Sequence, residues 1–83
     1  MTGVERSNRK QTIISRLKRY IEENGKDNEK KSDYIRIGLL QDWFGLSNTS
    51  TRARLQGVPH LSGGKYLISD VAAKVVQMED ENA

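Results

Sequence analysis

At 83 residues, of which 30% are charged, the chain has room for one domain with a small core. No apolar run approaches the roughly 18 residues of a membrane-spanning helix, and the polar start MTGVERSNRK has no apolar segment of the kind a secretory signal needs, so no membrane partner is expected. The absence of cysteine excludes disulfides and thiolate metal sites and fits a reducing cytoplasm.

In chain order, residues 1–7 read as a disordered start. Residues 8–24 form a basic amphipathic helix, with Ile13, Leu17 and Ile21 at i, i+4 and i+8 and with Ile14 and Tyr20 widening the stripe. Gly25 stands where a left-handed residue ends a helix. Residues 25–33, GKDNEKKSD, are a polar linker with nothing to pack. YIRI at 34–37 has the β-branched and aromatic content of a short strand. It runs into GLLQDWFG, a short helix whose Leu39, Leu40, Trp43 and Phe44 supply the largest share of the core, with Gly45 ending it.

Ser47 caps a further helix over 48–56, which Gly57 stops, with Pro59 just beyond. His60–Leu61 and Lys65–Ile68 flank Ser62, Gly63 and Gly64 as a tight hairpin whose glycines supply positive φ angles. Ser69 caps a last helix from Asp70 to about Met78, with Val71, Val75 and Met78 inward and Ala72 at the edge. Residues 79–83 are a frayed acidic tail. The fold class is mainly α with a small β-hairpin. A helix pair followed at once by a hairpin predicts a winged helix-turn-helix over 34–78, with an extra N-terminal helix.

The net charge of +3 conceals an asymmetry. Nine Lys and Arg stand against five acids in residues 1–31, and five against three in residues 32–78, while EDENA at the end adds three acids and no base. Without that tail the body reaches +6, which suits a polyanion partner, although a solvated surface has the same composition.

The stretch GLSNTSTRARLQGVPHLSGGKYLISDVAAKVV places Gly45, Leu46, Ser47, Ser50, Gly57, Val58, Pro59, Gly63, Gly64, Tyr66, Leu67 and Ile68 in a characteristic order. It resembles the winged-helix domains of the MerR/excisionase superfamily, which run Gly-apolar-Ser, helix, Gly-apolar-Pro, glycine hairpin, aromatic-apolar strand and closing helix. Over the same span it is similar to the DNA-binding domain of phage small terminase subunits. The match covers residues 37–76. Thr51 stands where the family is usually apolar, and the interval from Ser47 to Gly57 is shorter than typical, which predicts a short or differently tilted second helix. The N-terminal thirty residues have no counterpart in the minimal family domain. The resemblance implies duplex DNA binding in the cytoplasm of a bacterium or phage-infected host. It implies a transcription regulator or an excisionase-like DNA recombination directionality factor, acting with a recombinase or other phage protein.

The residues themselves support the same use of the second helix. With Thr51 and Leu55 inward, Thr49, Arg52, Ala53 and Gln56 share the opposite face. Arg52 can reach guanine N7 and O6, Gln56 can pair with adenine, and Ala53 allows close approach to a thymine methyl. Asn48 and Thr49 lie at the helix start, where backbone amides favour phosphate. Ser62, Gly63, Gly64 and Lys65 form the tip of a wing lying on the backbone or in the minor groove, with Lys65 supplying charge. An isolated polar helix face is usually just solvated, and Gly-Gly turns many hairpins; the succession of helix pair and hairpin is what favours DNA.

Trp43 and Phe44 read as core rather than a base-stacking platform. His60 is the only histidine, so no metal site or cofactor is expected. Ser47 and Ser50 have no base nearby, and no catalytic residue or enzyme activity is expected. Arg9, Lys10, Arg16, Arg19 and Arg36 are candidate phosphate contacts. The apolar stripe of the first helix docks on its own domain or between protomers, and one short helix reads few base pairs, so a homodimer or cooperative array is expected. The alternatives are a small-terminase-like packaging domain and a protein–protein adaptor using the first helix.

Overall fold

Thr2 starts the first element. In the computed structural model, which describes residues 2–81, its hydroxyl accepts from the Glu5 N–H at 3.2 Å and α1 runs Gly3–Asn24. The helix thus begins well ahead of the expected start at Asn8, because a working N-cap precedes the apolar periodicity and leaves no trace in it. The stripe behaves as its spacing predicts: Ile13, Leu17 and Ile21 are buried. Gly25 ends the helix with φ −83°, not left-handed as expected. Its N–H donates to the Ile21 carbonyl at 2.7 Å, and a Cβ there would stand 2.6 Å from that oxygen, so close approach is what calls for glycine.

The expected linker contains one helical turn, α2, Asp27–Lys30, in which the Glu29 carboxylate reaches back to accept from the Lys26 N–H at 2.8 Å. The chain continues through β1 Tyr34–Arg36, α3 Ile37–Phe44, α4 Asn48–Arg54, β2 His60–Leu61, β3 Lys65–Leu67 and α5 Ile68–Glu81. The three strands form one antiparallel sheet in the order β1-β3-β2. Ile35 pairs with Tyr66 and both are buried, so Tyr34–Leu67 and Arg36–Lys65 lie on the other face. Two backbone bonds extend the β1–β3 ladder: the Ile37 N–H donates to Gly64 at 2.8 Å, and the Ile68 N–H donates to Asp33 at 2.9 Å.

Leu39 and Leu40 of α3 are buried, and Leu55 beyond α4 joins them. Trp43 and Phe44 are only half-buried at the rim of this core, contrary to their expected share; Trp43 meets Tyr20 of α1 edge-on, ring centroids 5.7 Å apart at 77°. The last helix starts at Ile68, so Ser69 lies inside it and is not the cap. Its buried residues are Ile68, Val71, Ala72 and Val76, with Val75 and Met78 at the edge. The stripe is rotated from the expected one because α5 must cover both the sheet and α1.

The expected frayed tail is ordered as far as Glu81; residues 82–83 lie outside the described residues. Arg9 grips Glu79 in a fork, Nε to Oε1 at 3.0 Å and Nη2 to Oε2 at 2.8 Å, and Arg6 pairs with Asp80. Later turns of α1, at Gln11 and Ile14, share a depression with Leu67–Ser69, so α1 and α5 run antiparallel. Among the described residues no helix is long and apolar enough to cross a membrane.

Leu17 is fully buried, so Leu17→Ala should lower unfolding free energy by about 2–5 kcal/mol in a denaturant titration. The hydrogen bonds from Arg9 hold the Glu79 carboxyl below the usual carboxylate range. A depressed folded pKa stabilises above the unfolded value of about 4.3 and loses that contribution as pH falls through the folded value. The pair is a third exposed, so solvent screening limits it to at most about 1 kcal/mol. Glu79→Gln should therefore lower the melting temperature at neutral pH, and the gap to the parent should close on acidification below pH ~4.3.

Candidate nucleic-acid interface

The Ser47 hydroxyl accepts from the Ser50 N–H at 3.2 Å and starts α4 where the sequence indicates. One turn on, the Thr51 hydroxyl donates to the Ser47 carbonyl at 2.7 Å. That bond lets a threonine stand fully buried where a side chain without polar atoms is usual. Thr51 and Leu55 therefore face inward, Thr49 and Ala53 are exposed on the opposite side, as helical spacing requires, and Asn48 and Arg52 are exposed along the flank between them. The helix stops at Arg54, short of the expected Gln56. Gln56 sits in the following turn, its N–H on the Ala53 carbonyl at 3.3 Å, and its side chain borders a depression shared with Pro59 and Lys74. It is exposed but no longer on the helical face with Arg52.

Two contacts organise the exposed face. Arg52 Nε donates to Asn48 Oδ1 at 2.7 Å, which occupies the asparagine and fixes the direction of the guanidinium. The outer Nη2 lies beside the hairpin, 3.8 Å from where a Cβ on Gly64 would be. The helix face and the hairpin turn thus meet at Arg52 and form one surface. Asn48 serves this surface by holding the arginine.

At the turn, Ser62, Gly63 and Lys65 are exposed but Gly64 is buried, which corrects its expected place at the tip. Its carbonyl is taken by the Ile37 N–H, and a Cβ on it would stand 3.0 Å from Ile37 Cγ2. Gly64 fastens the turn to the start of α3; Gly63, with open space around it, is the outward residue.

Most of the other candidate cations are neutralised. Arg9 is held by Glu79, Arg19 by Glu23 at 3.4 Å, and Arg36 by Glu29 at 2.9 Å. Lys10 and Arg16 form no ion pair among the described residues. Around α4 and the hairpin the balance differs: Trp43 to Ser69 contains Arg52, Arg54 and Lys65 and not one Asp or Glu. Arg54, absent from the sequence-based set, is exposed at the end of α4 with its guanidinium 5.6 Å above the Phe44 ring, and the acid-free run is the signal that points to it. Chemically the surface offers guanidinium and ammonium donors to an anion. No group of three or more His, Asp or Glu among the described residues could hold a metal ion.

Gly64→Ala meets both a positive φ of 72° and the Ile37 methyl, whereas Gly63→Ala meets only a φ of 85°. Left-handed backbone costs a non-glycine residue roughly 1–2 kcal/mol, so both variants should melt below the parent, with Gly64→Ala lower of the two in a thermal scan.

Comparison with protein-family models, with curated proteins and with solved structures found no match to this chain.

Proposed function

We propose that this protein is a winged helix-turn-helix binder of duplex DNA, with α4 entering the major groove and the β2–β3 turn lying on the backbone or in the minor groove. The observation that carries the reading is the basic surface formed where Arg52 of α4 meets the Gly63–Lys65 turn, whose Arg52 and Lys65 form no ion pair among the described residues. Exposed cations without internal partners release counterions when they meet phosphate, which is the main source of affinity for nucleic acid. Arg52 is already oriented by Asn48, and its outer nitrogens are the ones a guanine edge would use. Lys65 supplies charge at the turn, and Arg54 adds charge on another side of α4, over the Phe44 ring.

The biological role we assign is regulation or recombination directionality in a phage or mobile element, without catalysis, on the sequence resemblance alone. The packaging alternative needs a ring-forming or partner-binding segment from α1, and the adaptor alternative needs the apolar stripe of α1 as an open surface. Ile13, Leu17 and Ile21 are buried in the chain's own core, which leaves those alternatives without that surface.

The test is an NMR titration of labelled protein with a short duplex of arbitrary sequence at low salt. Amides of residues 48–56 and 62–65 should move, and an unchanged spectrum at saturating duplex overturns the reading. In binding assays Lys65→Ala should weaken affinity for all sequences and reduce the salt slope by about one. Arg52→Ala should cost about 1–3 kcal/mol of discrimination between a preferred site and its variants.

A further inference from the structure

The β1–β3 ladder sets Arg36 directly opposite Lys65. Opposite residues on neighbouring strands hold their Cβ atoms about 4.5–5.5 Å apart on one face, and like charges in such a pair repel. Only one of the two cations has a counter-ion: Glu29 Oε2 lies 2.9 Å from Arg36 Nε, while Lys65 has no acidic partner among the described residues. The Arg36–Glu29 contact is ionic rather than a directed hydrogen bond, because the buried Nε has its N–H off the line to the oxygen. Glu29 is fixed from the other side by the Lys26 N–H, and its side chain is 13% exposed, so it is held against the arginine rather than trailing in solvent.

Gly38 supplies a second, independent feature. It lies inside α3, where alanine would be the better helix former. A Cβ there would stand within the guanidinium of Arg36, at Nη1. The bare α-carbon is the seat on which the Arg36 head group rests, beside Glu29 and across from Lys65.

Building on the DNA-binding reading, we propose that Arg36 and Lys65 clamp one backbone phosphate of duplex DNA, and that the Glu29 carboxylate occupies Arg36 as an internal stand-in for that phosphate until DNA displaces it. Carboxylate and phosphodiester oxygens compete for the same guanidinium donors. A phosphate bridging the two cations also neutralises Lys65, which forms no ion pair with Glu29. The free protein therefore keeps Arg36 muted toward stray polyanions while Lys65 stays open.

The test uses the full chain and a fluorescent duplex of arbitrary sequence, with anisotropy read across a salt series at neutral pH. Glu29→Gln retains the acceptor for the Lys26 N–H and removes only the charge. It should tighten binding roughly three- to tenfold at low salt and steepen the salt slope by about one. The same change in an Arg36→Ala background should give no gain. Asp27→Asn, on the same turn but fully exposed, measures the general effect of losing one negative charge. Equal gains from Asp27→Asn and Glu29→Gln, or a Glu29→Gln gain that survives without Arg36, overturn the proposal while leaving DNA binding intact. A readout that leaves Glu29 unaltered is the Arg36 Nε–H signal of the labelled parent, which should move when duplex is added; no movement in bound protein overturns the proposal. Failure of the parent to bind any duplex overturns the DNA reading and this proposal with it.

Discussion

The burial of α1 on α5 is the constraint on which the remaining elements depend. Residues 34–78 hold a three-stranded sheet of very short strands and three helices of modest length. A core of that size rarely supplies more than about 3–5 kcal/mol without help. Ile13, Leu17 and Ile21 provide the help, closing the side of α5 that the sheet leaves open. The rotated stripe of α5 follows from this double duty, and so does the ordering of Glu79 and Asp80, which the arginines of α1 hold in helical register.

Positive charge is used in two ways in this small chain. On α1, Arg6 and Arg9 face carboxylates of α5 and act as fasteners, worth little each but placed along one seam. On α4 and the hairpin Arg52, Arg54 and Lys65 form no ion pair among the described residues, and the two arginines are oriented by neutral groups instead: the Asn48 amide for Arg52 and the Phe44 ring for Arg54. A neutral support fixes direction without cancelling charge, so these arginines keep their positive field. Arg36 is intermediate, half-exposed and paired, and its pairing distinguishes it from Lys65 opposite.

Helix positions and turn residues were legible in the chain wherever a local rule decides. The Ser47 cap, the inward pair Thr51 and Leu55, the α1 stripe and the glycine hairpin all follow from spacing and side-chain chemistry. The Thr2 cap and the α2 turn escaped although their partners are three residues apart, and other features escaped because their partners are distant in sequence. Arg9 and Glu79 are 70 residues apart, so an acidic end reads as a tail until its cations are placed beside it. Gly64 reads as a flexible tip because nothing in the sequence near it announces the Ile37 N–H. Asn48 and Arg52, at helical spacing, reveal neighbourhood but not that one holds the other. The acid-free run from Trp43 to Ser69 was available from composition alone, and it marks the site more sharply than the net charge does.

The pairing of Arg6 with Asp80 places the first turn of α1 beside the last turn of α5. The stretch from α1 to α5 is in effect a ring opened at one point, and that point lies the length of α5, about 20 Å by its helical rise, from the hairpin. A short linker could close the ring and a new opening could be cut in the polar segment before β1, giving a circular permutant in which α1 follows α5 directly.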